Sequence, residues 1–205
     1  MEKKISKSII ERMPLYYNYL DSFKNDDMIS SRKVAMELGL GEVQVRKDLN
    51  LISGNGKPKV GYQISELKSD IEKIIHQNKF TIVIIIGAGK IGCALANFEG
   101  FKKDNFNLIG IFDNDLKKIG QNVSGLIVKN IDELSLFCKE NQVSLAILSV
   151  PSFSVKDVSL KLEETNIKGV LNFSNAKVEN NNRMCVKNVD IVSLLMMLAV
   201  EINNN

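Results

Sequence analysis

An unbroken β-branched run, Thr81 to Ile86 (TIVIII), leads directly into GAGKIG, Gly87 to Gly92. A strand without polar alternation must be buried on both faces, which places it inside a parallel sheet covered by helices above and below. Gly87 permits a tight turn, Gly89 lets the backbone approach a pyrophosphate, and Gly92 allows close packing of a helix that begins there and runs over Cys93 to Phe98. Unpaired N–H groups at that helix start suit phosphate oxygens. A second strand, Leu108 to Phe112, ends at Asp113, 26 residues after Gly87 and close to the interval of about 20 for a ribose-binding acid. Asp113 is expected to accept hydrogen bonds from ribose hydroxyls and to repel a 2'-phosphate, so NAD(H) is preferred over NADP(H). Gly87, Ala88, Gly89, Lys90, Ile91, Gly92 and Asp113 are therefore candidate cofactor residues. The plainer reading is that the glycines only serve a tight strand-to-helix connection.

The alternation continues with a short strand at Leu126 to Val128, a helix from Asp132 to Glu140 and a buried strand at Val143 to Val150. A helix over Val155 to Thr165 and strands at Gly169 to Phe173 and Met184 to Lys187 complete an expected six-stranded, doubly wound parallel sheet of Rossmann type. The SVPS segment, Ser149 to Ser152, falls at the carboxyl edge where such sheets bind nucleotides, which adds Val150 and Pro151 to the cofactor set. Asp115 reads as a capping or exposed residue.

Composition removes other classes. The chain has 205 residues, one His and three Cys. Cys93, Cys138 and Cys185 form no CxxC pair, so neither a disulfide framework nor a metal site is expected. With His76 alone, a zinc enzyme or a His-based triad is hard to build. The opening MEKKISKSIIERMP lacks a signal-peptide core, and no run approaches about 18 apolar residues. A cytoplasmic protein without membrane insertion is the expectation.

The net charge of +3 belongs entirely to residues 1–80, which hold 14 Lys plus Arg against 11 Asp plus Glu, while residues 81–205 hold 13 of each. Within Val43 to Val60, Arg46, Lys47, Lys57 and Lys59 face only Asp48. That positive patch suits a polyanion, although a solvated basic surface would look the same. Ser8 and Glu11 read as a capping box for a helix running to about Phe23. Ser30 and Ser31 can cap a second helix ending at Gly39. A third helix, Glu42 to about Ile52, buries Val45, Leu49 and Ile52 and projects Gln44, Arg46, Lys47 and Asn50 elsewhere. Helix, glycine turn, helix reads as helix-turn-helix. The glycines and Pro58 of SGNGKPKVGYQI turn the chain into a strand-like Val60 to Ile64, forming a wing with lysines at its tip. Arg46 and Lys47 suit phosphate or guanine and Gln44 suits adenine; protein contacts are the alternative. Lys68 to Lys79 reads as a connecting helix, with a domain boundary near Lys79.

After the last strand, NVDIVSLLMMLAVEINNN starts a helix at Asp190 whose apolar residues from Ile191 to Ile202 cover nearly the whole circumference. A helix apolar all round must be buried all round, and this one is too short to span a bilayer of about 20 residues. A second copy, exchanging helices across a two-fold axis, is the expected cover; burial between the domains of its own chain is the alternative.

These segments together resemble the redox-sensing transcriptional repressor family Rex. The resemblance covers almost the whole chain: ERMPLYYNYL, SSRKVAMELGL, QVRKDL, the GxxxxGY of Gly56 to Tyr62, GAGKIGCAL, FDND and KIG, SVPS, IKGVLNFS (Ile167 to Ser174) and NVDI (Asn188 to Ile191). It implies an α/β homodimer with a winged helix-turn-helix domain over residues 1–79, an NAD(H)-binding Rossmann domain over 80–188 and a swapped C-terminal helix over 189–205. The family represses genes when NADH is scarce relative to NAD+ and leaves double-stranded operator DNA when NADH binds. Ser31, Gln44, Arg46, Lys47, Lys57, Lys59 and Tyr62 are then the expected DNA contacts.

The chain departs from the family at two places. Where the family has a Tyr implicated in a redox-dependent contact with the partner's Asp190, this chain has Phe98, which has no hydroxyl. Asp190 otherwise meets the Arg matching Arg12, so Arg12, Phe98 and Asp190 are the expected coupling residues; Arg12 and Asp190 equally suit an ordinary ion pair or cap. In the wing, Pro58 and Lys59 replace an Arg and a Gly. Two other classes stay open: an NAD-dependent oxidoreductase, though only one helix follows the sheet and His76 precedes its first strand, and a constitutive DNA-binding dimer. A regulator rather than an enzyme is expected.

Overall fold

The computed structural model describes residues 5–75 and 80–203. They divide between two compact units, Met1–Lys79 and Phe80–Asn205. His76 and the expected end of the connecting helix at Lys79 lie outside the described residues.

In the first unit, α1 (Lys7–Leu20) buries Ile9, Met13, Tyr16 and Leu20, one face of a 3.6-residue period. Its N-cap is Ser6, whose carbonyl accepts from the Ile9 and Ile10 amides. The Ser8–Glu11 capping box is therefore not formed, because Ser8 already lies inside the helix, and the helix stops at Leu20 rather than Phe23. After β1 (Met28–Ile29), the Ser30 side chain accepts from the Lys33 amide at 3.2 Å and starts α2 (Ser31–Glu37). Gly39, with φ of 63°, then turns the chain toward α3 (Glu42–Ile52).

The wing is smaller than expected. Its strand, β2 (Tyr62–Gln63), pairs antiparallel with β1, and α4 (Ile64–Ile75) starts directly behind it instead of at Lys68. Lys57 and Gly61 exchange two backbone hydrogen bonds of 2.8 and 2.9 Å around Pro58, Lys59 and Val60, so Val60 belongs to a tight loop. The periodicity of Val60 to Ile64 did not show that only two residues have a ladder partner.

The second unit is an α/β sandwich around seven strands: β3 (Thr81–Ile86), β4 (Phe106–Asp113), β5 (Asn122–Val123), β6 (Leu126–Asn130), β7 (Leu145–Leu148), β8 (Gly169–Asn172) and β9 (Cys185–Asn188). The order is β5-β6-β4-β3-β7-β8-β9, and all neighbours are parallel except β5 and β6. That antiparallel edge strand corrects the expected six-stranded sheet. Ser124 and Gly125, with φ of 53° and 83°, make the two-residue turn whose double positive φ joins tight hairpins.

The β3 strand explains the unbroken apolar run. Ile84 and Ile86 enter the core on one face of the sheet, and Val83 and Ile85 the core on the other. Helices α5 (Lys90–Ala96), α6 (Gly100–Lys103), α7 (Leu134–Asn141) and α8 (Val155–Glu163) surround the sheet. The strand order reverses at β3 and β7, which opens a crevice at their carboxyl ends. The last helix, α9 (Ile191–Asn203), has no buried residue. Among the described residues no helix is long and apolar enough to cross a membrane, and none group as a metal site.

Candidate dinucleotide cleft and nucleic-acid interface

A cleft of about 990 Å³ lies over the carboxyl ends of β3, β4, β7 and β8. Gly87, with φ of 104°, turns the chain out of β3; its amide donates to the Phe112 carbonyl at 2.7 Å and its carbonyl accepts from the Ser149 hydroxyl at 2.9 Å. The α5 helix begins at Lys90, three residues before the expected Cys93. It starts early because Gly92 has no Cβ: a methyl there would collide with the Gly87 carbonyl and lie 2.8 Å from the Ser149 Oγ. A Cβ on Gly89 would meet no protein atom within 4 Å. The glycine turn thus presents an open backbone face, which fits the close approach of a phosphate.

Gly87, Gly89, Lys90, Ile91, Asp113, Val150 and Pro151 line the cleft. Ala88 and Gly92 are buried behind it, shaping the turn. Asp113 is 7% exposed and already well bonded: Oδ2 accepts from the Ala88 amide at 2.8 Å and Lys118 Nζ at 3.0 Å, and Oδ1 from the Asp115 amide at 2.9 Å. Burial opposes ionisation, but the Asp115 amide, the Lys118 ammonium and the Ala88 amide outweigh it and hold the carboxyl below its ordinary value. Asp113 is therefore an acceptor at neutral pH. Its charge is offset by Lys118, so any rejection of a 2'-phosphate rests on a carboxylate already paired with an ammonium. Asp115 caps the following turn through the Lys117 amide. Leu116, Lys118, Ser149, Phe153, Phe173 and Ser174 also line the cleft; their one sequence signal is that each lies at or shortly after a strand's carboxyl end.

In the first unit, Arg46, Lys47, Lys57 and Lys59 are exposed and Ser31 is half-buried at the start of α2. Tyr62 is 7% exposed, and its ring occupies the space a Cβ on Gly56 would need. This corrects its expected role: Tyr62 supports the wing from beneath. Lys59 holds a left-handed φ of 64° at the wing tip, the conformation a Gly would adopt freely.

Asp48, on α3, was invisible as a core residue in the sequence, yet it is 4% exposed. It accepts from Arg12 Nε and from the Tyr16 hydroxyl, both at 2.7 Å. Bonding to Asp48 raises the Arg12 value, while burial, then Asp48, pushes the Tyr16 hydroxyl up to about 12. With its amide carbonyl facing Arg12, Gln44 accepts from both guanidinium Nη atoms at 2.9 and 3.1 Å. Gln44 is thus committed to Arg12 and is not free for the two-point adenine contact expected of it. Asp48→Ala strands a partly buried guanidinium and a buried phenol, so the first unit should lose about 3 kcal/mol of unfolding free energy. All four tyrosines lie in residues 1–79 and the chain has no Trp, so tyrosine fluorescence in a denaturant titration reads this unit alone; an unchanged midpoint contradicts the assignment.

Phe98, 59% exposed, packs edge-on against Phe101 with centroids 5.4 Å apart. Asp190 caps α9, accepting from the Ser193 amide at 2.9 Å and its hydroxyl at 2.6 Å.

Comparison with known proteins agrees with this two-unit organisation. Residues 4–50 match the family described as "Putative DNA-binding protein N-terminus", and residues 78–176 match "CoA binding domain". The redox-sensing transcriptional repressor Rex of Thermosipho africanus is 43% identical, spanning 100% of this chain and 99% of that protein. Rex 1 of Thermotoga maritima is 36% identical over 98% of both. Among solved structures, RSP, a Rex-family repressor, superimposes in complex with β-NAD+ and operator DNA with a TM-score of 0.89 at 32% identity, covering 98% of this chain and 93% of that one. Its complex with β-NADH gives 0.87 at 31%, covering 98% and 95%. Since the similarity runs through the helical unit and the sheet alike, from one end of the chain to the other, this chain belongs to the Rex family of redox-sensing transcriptional repressors.

Proposed function

We propose that this chain represses transcription in the cytoplasm as a homodimer, holding operator DNA through two winged helices and releasing it when NADH occupies the cleft. The observation that carries the reading is the pairing, in one chain of the Rex family, of an exposed basic recognition helix with a glycine-turn cleft ending in an ionised Asp113. The cleft residues Gly87, Gly89, Lys90, Ile91, Asp113, Val150 and Pro151 hold the dinucleotide, while Ala88 and Gly92 shape the turn. Arg46, Lys47, Lys57 and Lys59 meet the phosphates or base edges, with Ser31 at the α2 start. The bound group supplies a nicotinamide ring that is cationic when oxidised and neutral when reduced, and an apolar wall at Val150 and Pro151 favours the neutral form through its lower desolvation cost. No reaction on a substrate is part of this reading.

Two recognition helices in one dimer bind DNA only at the half-site spacing, about one helical turn or a multiple of it. NADH releases DNA by favouring a subunit arrangement that breaks this match, and DNA must weaken NADH binding by the same factor, roughly 5- to 150-fold for ordinary coupling. Arg12 is the reporter of the change in this reading, supported by its bonds to Asp48 and Gln44 of the recognition helix. Exchange of Arg12 toward Asp190 of the second copy, with Phe98 packing alongside, is the proposed coupling.

A mobility-shift assay on a palindromic operator, with NADH and NAD+ varied separately, tests DNA binding, ligand and coupling together. NADH is expected to release the operator at concentrations where NAD+ does not. Binding indifferent to NADH would point to a constitutive dimer, and NADH oxidation with candidate substrates to an oxidoreductase.

A further inference from the structure

Every buried side-chain polar atom among the described residues has a hydrogen-bond partner except one, the hydroxyl of Ser174. Ser174 is 9% exposed and lines the dinucleotide cleft at the exit of β8. Its surroundings are fixed. The Ser174 amide donates to Asn172 Oδ1 at 2.9 Å, and Asn172 Nδ2 donates to Asn188 Oδ1 at 2.7 Å and to the Ala176 carbonyl at 2.8 Å. Asn188 in turn exchanges hydrogen bonds of 3.0 Å with the backbone of Val178. These bonds fix the Ser174 backbone through Asn172 and Asn188 and leave its hydroxyl without a partner. Buried polar groups are almost always paired, and an orphan at a cleft wall calls for a group from outside the chain.

The strand order identifies that group. Asp113 ends β4 on one side of β3, so the adenosine ribose lies there, and the pyrophosphate lies at the glycine turn after β3 itself. On the other side of β3 stand β7 and then β8, so the remaining half of a dinucleotide extends over Val150, Pro151 and Ser174. Resting on the dinucleotide reading above, we infer that the Ser174 hydroxyl binds the carboxamide of the nicotinamide ring. A hydroxyl both donates and accepts, as does a carboxamide, which carries a carbonyl and an NH2. Val150 and Pro151 offer the ring an apolar wall, while Ser174 fixes which edge of the ring faces the protein. The contact is common to both redox forms and therefore sets affinity and orientation without selecting NADH.

Calorimetric titration of the full chain and its Ser174→Ala variant with NADH, NAD+ and ADP-ribose tests this. ADP-ribose keeps both riboses and the pyrophosphate and lacks only the nicotinamide. The variant should bind NADH and NAD+ roughly 3- to 10-fold more weakly, the worth of one hydrogen bond, and ADP-ribose as the wild type does. NADH affinity unchanged in the variant overturns the assignment. So does an equal loss for ADP-ribose, which would place the effect on the ribose or the loop. A wild type that binds neither NADH nor ADP-ribose would instead overturn the dinucleotide reading, and the Ser174 contact with it.

Discussion

Gly92→Ala is expected to cut NADH affinity by roughly 5- to 150-fold while leaving operator binding intact, producing a repressor that NADH releases poorly. The single added methyl has nowhere to go. It meets the Gly87 carbonyl, a backbone atom, and lies 2.8 Å from the Ser149 Oγ that donates to that same carbonyl. Overpacking a close-packed site costs about 1–3 kcal/mol, and here the atoms that must yield are those that form the phosphate turn, so the strain falls on affinity at about tenfold per 1.4 kcal/mol. Gly89→Ala is the informative companion. Its methyl touches no protein atom within 4 Å, so stability should stay at the wild-type level and any loss of affinity reads the ligand's approach directly. Titration of both variants with NADH, alongside mobility shifts without it, separates turn geometry from ligand contact. A Gly92→Ala chain that binds NADH normally would show that the turn has more freedom than these contacts allow.

The ease of reading the sequence followed how local each cause was. TIVIII needed only its own composition to declare a strand covered on both faces, and Gly87, Gly89 and Gly92 needed only their spacing to declare the turn. Asp48 was not legible, because a charge beside Arg46 and Lys47 on an amphipathic helix reads as solvated; its burial depends on Arg12 and Tyr16, more than thirty residues away. Lys118 as the counter-charge of Asp113 was similarly hidden, as was Ser149 bracing a glycine 62 residues earlier. The β5 hairpin was missed because two residues carry no period and the signal lay in the Ser124–Gly125 turn. The position of Ser174 just past β8 was legible, but its unpartnered hydroxyl was not, since an orphan exists only once its neighbours have been satisfied by one another.

On α9, Leu195→Glu combined with Leu198→Glu is expected to keep the proposed homodimer from forming and to lower operator affinity by roughly 10²- to 10⁴-fold, the loss when two linked half-site contacts become independent. Nine large apolar side chains of this helix are between 51% and 66% exposed in the single chain. Covering each recovers roughly 1 kcal/mol, given about 1.5–3 for a fully buried aliphatic side chain, and a two-fold pairing doubles the number. That gain exceeds an association cost of about 4–15 kcal/mol, whereas the same helix left in water would be a patch on which soluble monomers aggregate. Two carboxylates at i and i+3 lie on one face, so they would have to be buried unpaired in any close pairing there. Sedimentation and mobility-shift measurements should report monomers with intact α1 to α4 tyrosine fluorescence and weak operator binding. A wild-type chain that sediments as a monomer, or a doubly charged variant that stays dimeric, would mean that something other than a second copy covers this helix.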